Sequence, residues 1–269
     1  MNKVIKKILM CEPIHFEVSY KINPWMQIGS VNKKQAYKQW QDLLKTYEDL
    51  KIETEIIKQE KGLPDMVFSA DQGIIKGRDM LLSNFRYEQR QKETDVYLKW
   101  FETEGYLVNK LPENVSFEGG GESLWFGNKL LVGTGFRGRP EIGQNIKEIW
   151  PEVEIISLQL INPYFYHLDT CLFVLNRETI FYYPLAFSDL SQAVLKEITP
   201  NLIPISKKEA FNFAANSTVT DHHVIIQKGN LGVLRELRRL GYAGVETDVS
   251  EFIKAGGGIH CLTFVLTEE

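Results

Sequence analysis

Cys261 follows Gly256-Gly257-Gly258-Ile259-His260 and precedes the apolar run Leu262-Thr263-Phe264-Val265-Leu266. Three glycines let a backbone approach a ligand closely or take a positive φ. A thiol placed just after them has the exposure that a nucleophile needs. Cys171 lies inside an apolar run and reads as core, as does Cys11. His167 and Asp169 stand two residues apart. In a strand they would share one face, where a carboxylate orients an imidazole for proton transfer. Glu118 opens Glu118-Gly119-Gly120-Gly121-Glu122, a glycine-rich stretch without the spacing of a phosphate-binding fingerprint. Asp71, taken alone, reads as a turn carboxylate.

Three carboxylates, one histidine and one cysteine suit a cationic, planar, electrophilic substrate. Guanidinium fits, because carboxylates hold it through paired charge-assisted hydrogen bonds. The competing reading is a metal site built from Glu118, His167, Asp169 and Cys261. The two glycine-rich loops favour ligand access over a closed coordination shell, so no metal and no cofactor are expected. His222, His223 and His260 receive no role.

The elements that must position these residues recur along the chain. Asp71, Glu118, His167, Asn216 and Cys261 are separated by 47, 49, 49 and 45 residues. Each falls in the first strand of a repeating unit, expected over 66–75, 115–125, 164–174, 211–219 and 258–266. A hairpin turn, a second apolar strand, a helix and a short strand follow. Helices are expected over 33–50, 88–104 and 231–240, the last two stopped by Gly105 and Gly241. Short strands are expected over 52–57, 106–108, 153–158 and 242–249. The fifth unit is split, with the run from Val4 to Cys11 pairing beside the Cys261 strand. Repeats of this length cannot bury an apolar face alone, so neighbours must pack. Five units closing around an axis would bring the five polar residues into one cavity. The alternative is chance spacing in an alternating α+β chain, against which turns and helices share the period.

The chain has 269 residues, 25% charged and 43% hydrophobic, with a formal net charge of -4. That balance offers no clustered basic face for nucleic acid, and the Arg235–Arg239 run reads as a solvated helix face. No apolar stretch reaches the ~18 residues of a membrane span, and Met1 to Met10 is too short for a signal-peptide core. Three widely spaced cysteines make no disulfide framework. A single cytoplasmic domain over 1–269 is expected, and a homodimer is the assembly kept in view.

These motifs resemble the pentein, or guanidino-group-modifying, superfamily, which holds arginine deiminases, dimethylarginine dimethylaminohydrolases and amidinotransferases. The resemblance is carried by Phe117-Glu118-Gly119-Gly120, His167-Leu168-Asp169-Thr170 and the run from Gly256 to Thr263. Pro64-Asp65-Met66-Val67-Phe68, leading to Asp71, adds to it. It implies an α/β fold, a five-bladed β/α propeller of five ββαβ-like units with pseudo-fivefold symmetry. It also implies roles. Cys261 would attack the guanidinium carbon and form a covalent adduct. His167 would protonate the departing amine and then activate water. Glu118, Asp71 and Asp169 would grip the guanidinium, and Arg137, with Arg90 or Arg86, would bind a substrate carboxylate. Asn216 matches a position of unclear role. Many relatives carry Asp after Phe-Glu-Gly-Gly, where this chain has Gly121 and then Glu122. Some short bacterial relatives carry Asn in place of Asp71. The leading expectation is a hydrolase of arginine or N-methylated arginine. An amidinotransferase and a non-catalytic propeller that binds another macromolecule are the alternatives.

Overall fold

The computed structural model describes residues 4–268. Residues 1–3, which open the Met1 to Met10 stretch, and residue 269 lie outside the described residues. The backbone groups into two compact units, residues 70–203 and residues 4–69 with 204–268.

Residues 70–203 form three small sheets of one design. A hairpin of Gly73–Lys76 and Asp79–Leu82 takes Leu107–Asn109 as a parallel third strand beside its second. Ser123–Phe126, Lys129–Thr134 and Glu154–Gln159 repeat the plan, Leu131 standing between Leu124 and Ile156. Leu172–Asn176, Thr179–Tyr182 and Asn201–Pro204 make the third sheet. Past the half-buried Asp79 and Lys129 at their starts, the middle strands are buried, Leu130, Leu131 and Val132 completely. A strand covered on both faces reads as a continuous apolar run, without alternation. Phe117, Ile142, Ile146 and Trp150 pack with Leu130 and Val132 in one core cluster.

In the other unit Ile5–Glu12 lies at the centre of its sheet. Phe264–Glu268 runs antiparallel on one side and Glu53–Lys58 parallel on the other. The expected joining of the two sequence ends in one sheet is therefore observed. Thr218–Thr220, His223–Gln227 and Ala243–Thr247 form the second sheet of this unit. Third strands carry exposed charge, as at Glu53 and Glu55, which both pair with Lys7, and such charge discourages further edge pairing.

The helix Lys33–Asp49 begins at Asn32, whose side chain accepts the Gln35 N–H. It buries Ala36, Trp40, Leu43 and Tyr47 along one stripe. Tyr47 reaches Thr263 through a 2.7 Å hydroxyl hydrogen bond, two residues past Cys261. Gln39 bonds Ser250 and accepts the Glu251 N–H, fixing the turn that enters the 256–258 glycines.

Three helices end alike. After Lys33–Asp49, Glu93–Thr103 and Leu231–Arg239, the chain turns through Lys51, Gly105 and Gly241 at φ 62°, 76° and 83°. The next residue returns its N–H to Tyr47, Phe101 and Leu237 respectively. This is a Schellman stop, with glycine in two cases and a strained lysine in the third.

One expectation is corrected. The signature residues do not sit in first strands, which begin only at Gly73, Ser123, Leu172, Thr218 and Phe264. Each signature residue lies in the tight turn just before its strand. Asp71 is in the 3-10 helix Ser69–Gln72, and Glu118 caps the helical turn Gly119–Glu122. His167 precedes the 3-10 helix Leu168–Thr170. These turns are as apolar and buried as the strands, so composition could not part them.

Candidate active site

Within residues 70–203 the signature side chains form a buried chain of polar contacts. Glu118 is fully buried, and its Oε2 accepts from Arg137 Nη1 at 2.7 Å. The same oxygen stands 2.9 Å from His167 Nε2, and Oε1 accepts the Arg86 backbone N–H at 3.3 Å. Burial opposes ionisation, but the Arg137 guanidinium and the His167 hydrogen bond outweigh it and hold Glu118 well below the usual carboxylate range. An ionised Glu118 can only accept, so Nε2 carries hydrogen and Nδ1 is the other face of the imidazole. Nδ1 has no hydrogen-bond partner among the described residues and lies 3.9 Å from Asp71 Oδ1. That distance is too long for a hydrogen bond.

Asp71 is held from behind. Arg90 Nη1 donates to Asp71 Oδ2 at 2.6 Å, while its Nε and Nη2 donate to Glu93. Gln72 Nε2 adds a 2.7 Å bond to Glu93, and the Arg90 guanidinium lies 4.3 Å over the Phe85 ring. Arg137 lies between the Tyr87 and Tyr166 rings at 4.6 and 4.7 Å. Arg90 and Arg137, two of the three arginines expected near a substrate carboxylate, thus place their guanidinium groups on site carboxylates.

Gly121 explains why this turn is glycine-rich. A Cβ there would stand 2.5 Å from His167 Nδ1 and 2.6 Å from Asp71 Oδ1. Glu122 reaches back one turn, and its Oε2 accepts the Glu118 N–H at 2.8 Å. Burial and the neighbouring Glu118 charge push its carboxyl well above the usual range. Asp169 is buried in the Leu168–Thr170 turn and not paired by strand alternation with His167. Burial, with the Asp169 charge beside it, pushes the Cys171 thiol well up, as suits a core residue. Arg86 is exposed, and its Nη1 donates to the Phe136 carbonyl at 2.6 Å, next to Arg137. It also borders a cavity of about 450 Å³ with Gly138, Arg139 and Ser188.

In the other unit Cys261 is not exposed as its glycine-rich approach suggested but buried, in the turn before Phe264–Glu268. Asn216 Nδ2 donates to its Sγ at 3.1 Å, and Asn216 Oδ1 accepts the Cys261 N–H at 3.2 Å. Sequence reasoning gave Asn216 no role, although its phase with Cys261 was the available signal. It also missed Glu93, whose i,i+3 spacing from Arg90 is that of a helix-face ion pair.

Residues 21–267 match the family model described as N,N dimethylarginine dimethylhydrolase, eukaryotic. The chain belongs to the dimethylarginine dimethylaminohydrolase family. It is 35% identical to the N(G),N(G)-dimethylarginine dimethylaminohydrolase of Mycobacterium tuberculosis, over 96% of this chain and 85% of that protein. Identity to the bifunctional arginine dihydrolase/ornithine cyclodeaminase AgrE of Nostoc sp. is 37%, over 97% of this chain. The chain spans only 38% of AgrE's length. Among solved structures, the N-terminal domain of ArgZ, carrying one substitution and covalently bound to a reaction intermediate, superposes with a TM-score of 0.94. Identity there is 37%, covering 97% of each chain. This family member therefore has the pentein fold expected from its motifs, built as five units of open three-stranded sheets with helices. Among the described residues no helix is long and apolar enough to cross a membrane.

Proposed function

We propose that this chain is a cysteine-dependent hydrolase of the guanidino group of arginine or an N-methylated arginine, acting as one catalytic domain in the cytoplasm. The observation that carries the proposal is the buried Glu118–His167 pair, which leaves the imidazole Nδ1 available to a ligand. A carboxylate on Nε2 fixes the orientation of the imidazole for proton transfer at Nδ1.

The Cys261 thiolate attacks the guanidinium carbon and forms a C–S bond. The C–N bond to the departing amine breaks, and His167 gives that nitrogen its proton. Water then attacks the adduct carbon, His167 takes a proton from it, and the C–S bond breaks to return the thiolate. The products are citrulline and an amine or ammonia. Asp71 and Asp169 bind guanidinium nitrogens and keep positive charge on the carbon. Arg90 acts through Asp71, and Arg137 through Glu118, from which a substrate carboxylate would draw it.

Support for a covalent route comes from the related ArgZ domain and its covalent intermediate. The likeness to AgrE favours a second reading, in which both terminal C–N bonds are hydrolysed with release of two ammonia, and the carbamate left on the side-chain nitrogen loses carbon dioxide to give ornithine. Purified protein would be given arginine, mono- and dimethylarginine, agmatine and guanidinoacetate, with and without glycine. Cys261→Ser is the control. Citrulline with released amine supports the proposal, ornithine selects the double hydrolysis, and amidinated glycine moves the chain to the transferases. Full turnover by Cys261→Ser would overturn it.

A further inference from the structure

We infer that Asn216 is a positioning residue for Cys261, gripping the cysteine at two atoms and holding its sulfur as the reactive thiolate. The inference rests on Cys261 being the nucleophile.

The grip is specific in direction. Asn216 is completely buried, its Nδ2 donates to Sγ at 3.1 Å, and its Oδ1 accepts the Cys261 N–H at 3.2 Å. Turning the amide over would set its NH2 against the Cys261 N–H, so the bonds themselves fix the orientation. The Asn216 carbonyl also accepts the His260 N–H at 3.2 Å. A neutral thiol is a weak acceptor, whereas a thiolate accepts strongly. A buried amide donor aimed at sulfur therefore favours the charged form.

The turn that presents Asn216 is strained for this task. Phe213, three residues earlier, sits at φ 55°, a conformation that non-glycine residues rarely adopt. Its carbonyl accepts the Asn216 N–H at 3.1 Å, and its ring meets Trp25 edge-on at 4.9 Å. Such strain persists only where surrounding packing over-determines it, and it concentrates at functional positions. From the other side, a Cβ on Gly258 would lie 2.8 Å from Asn216 Oδ1. The glycine loop thus lets the Cys261 segment close on the asparagine.

The test follows alkylation of Cys261 by iodoacetamide and chloroacetamidine at fixed pH, resolved by peptide mass spectrometry. Asn216→Ala removes both bonds. Asn216→Asp keeps shape and the acceptor for the Cys261 N–H but loses the donor to sulfur. Both variants, with unchanged circular dichroism, are expected to react about 10- to 100-fold more slowly, the worth of a hydrogen bond to a charged group. In a turnover assay the loss falls on kcat, with KM nearly unchanged. Wild-type alkylation rates in folded Asn216→Asp would overturn the inference, and that variant decides if Asn216→Ala does not fold. A wild-type Cys261 inert to both reagents would overturn it too. Fast, Asn216-dependent alkylation without turnover of any guanidino compound would sustain it and sink the proposed function alone.

Discussion

Glu118 and Arg137 form a completely buried ion pair, 2.7 Å between Oε2 and Nη1, and the same oxygen also holds His167. Removing one partner of such a pair leaves the other charge unpaired in the interior. Glu118→Gln is expected to cost roughly 3–5 kcal/mol in urea unfolding and to abolish turnover. Wild-type stability in that variant would mean that Arg137 does not depend on Glu118.

The two carboxyl groups of this turn make opposite contributions to stability as pH changes. Glu118 is depressed in the folded state, chiefly by Arg137 and His167 working against burial. Its contribution is complete above the ordinary value of 4.5 and is lost as pH falls toward the depressed one. Glu122 is raised by burial and by Glu118. Its contribution is complete below 4.5 and is lost as pH climbs toward the raised value. Glu122→Gln, which keeps an acceptor for the Glu118 N–H, is therefore expected to remove the alkaline decline. Parallel unfolding curves of wild type and variant across that range would contradict this.

Gly121 has no room for a side chain between His167 and Asp71. Gly121→Ala is expected to cost about 1–3 kcal/mol by overpacking and to lower kcat sharply by displacing the imidazole. Unimpaired kcat would show that the imidazole can shift without consequence.

Lys51 occupies a helix stop that glycine fills at 105 and 241. Lys51→Gly is expected to stabilise the protein by ~0.5–1 kcal/mol, read from the denaturant midpoint. A lower midpoint would show that the lysine side chain contributes more than its backbone strain costs.

Much of this was legible in the residues. The hairpin turn recurring in each unit was readable, and the separations of 47, 49, 49 and 45 residues marked five units. Residue types at Asp71, Glu118, His167 and Cys261 were enough to suggest guanidinium chemistry. The helices Ile142–Ile149 and Asp189–Ile198 went unread. The first is too short for a period to register, and the second buries only Ser191 and Leu195. Strand starts were misjudged because Leu168 and Phe117, in turns, are as buried as Leu172 in a strand. Spacing carried a signal for Asn216, in phase with Cys261, and for Glu93, three residues from Arg90, but it does not disclose which side chain each one bonds.

The pairing of Ile5–Glu12 with Phe264–Glu268 also dictates an order of events during folding. Leu9 stands opposite Phe264, 255 positions away, and Tyr47 reaches Thr263 across 216. Contacts of such span repay the entropy of closing the chain only after everything between them has condensed. The turn bearing Cys261 is therefore expected to order late in folding, so that the packing around its thiol is completed only with contacts spanning the whole sequence.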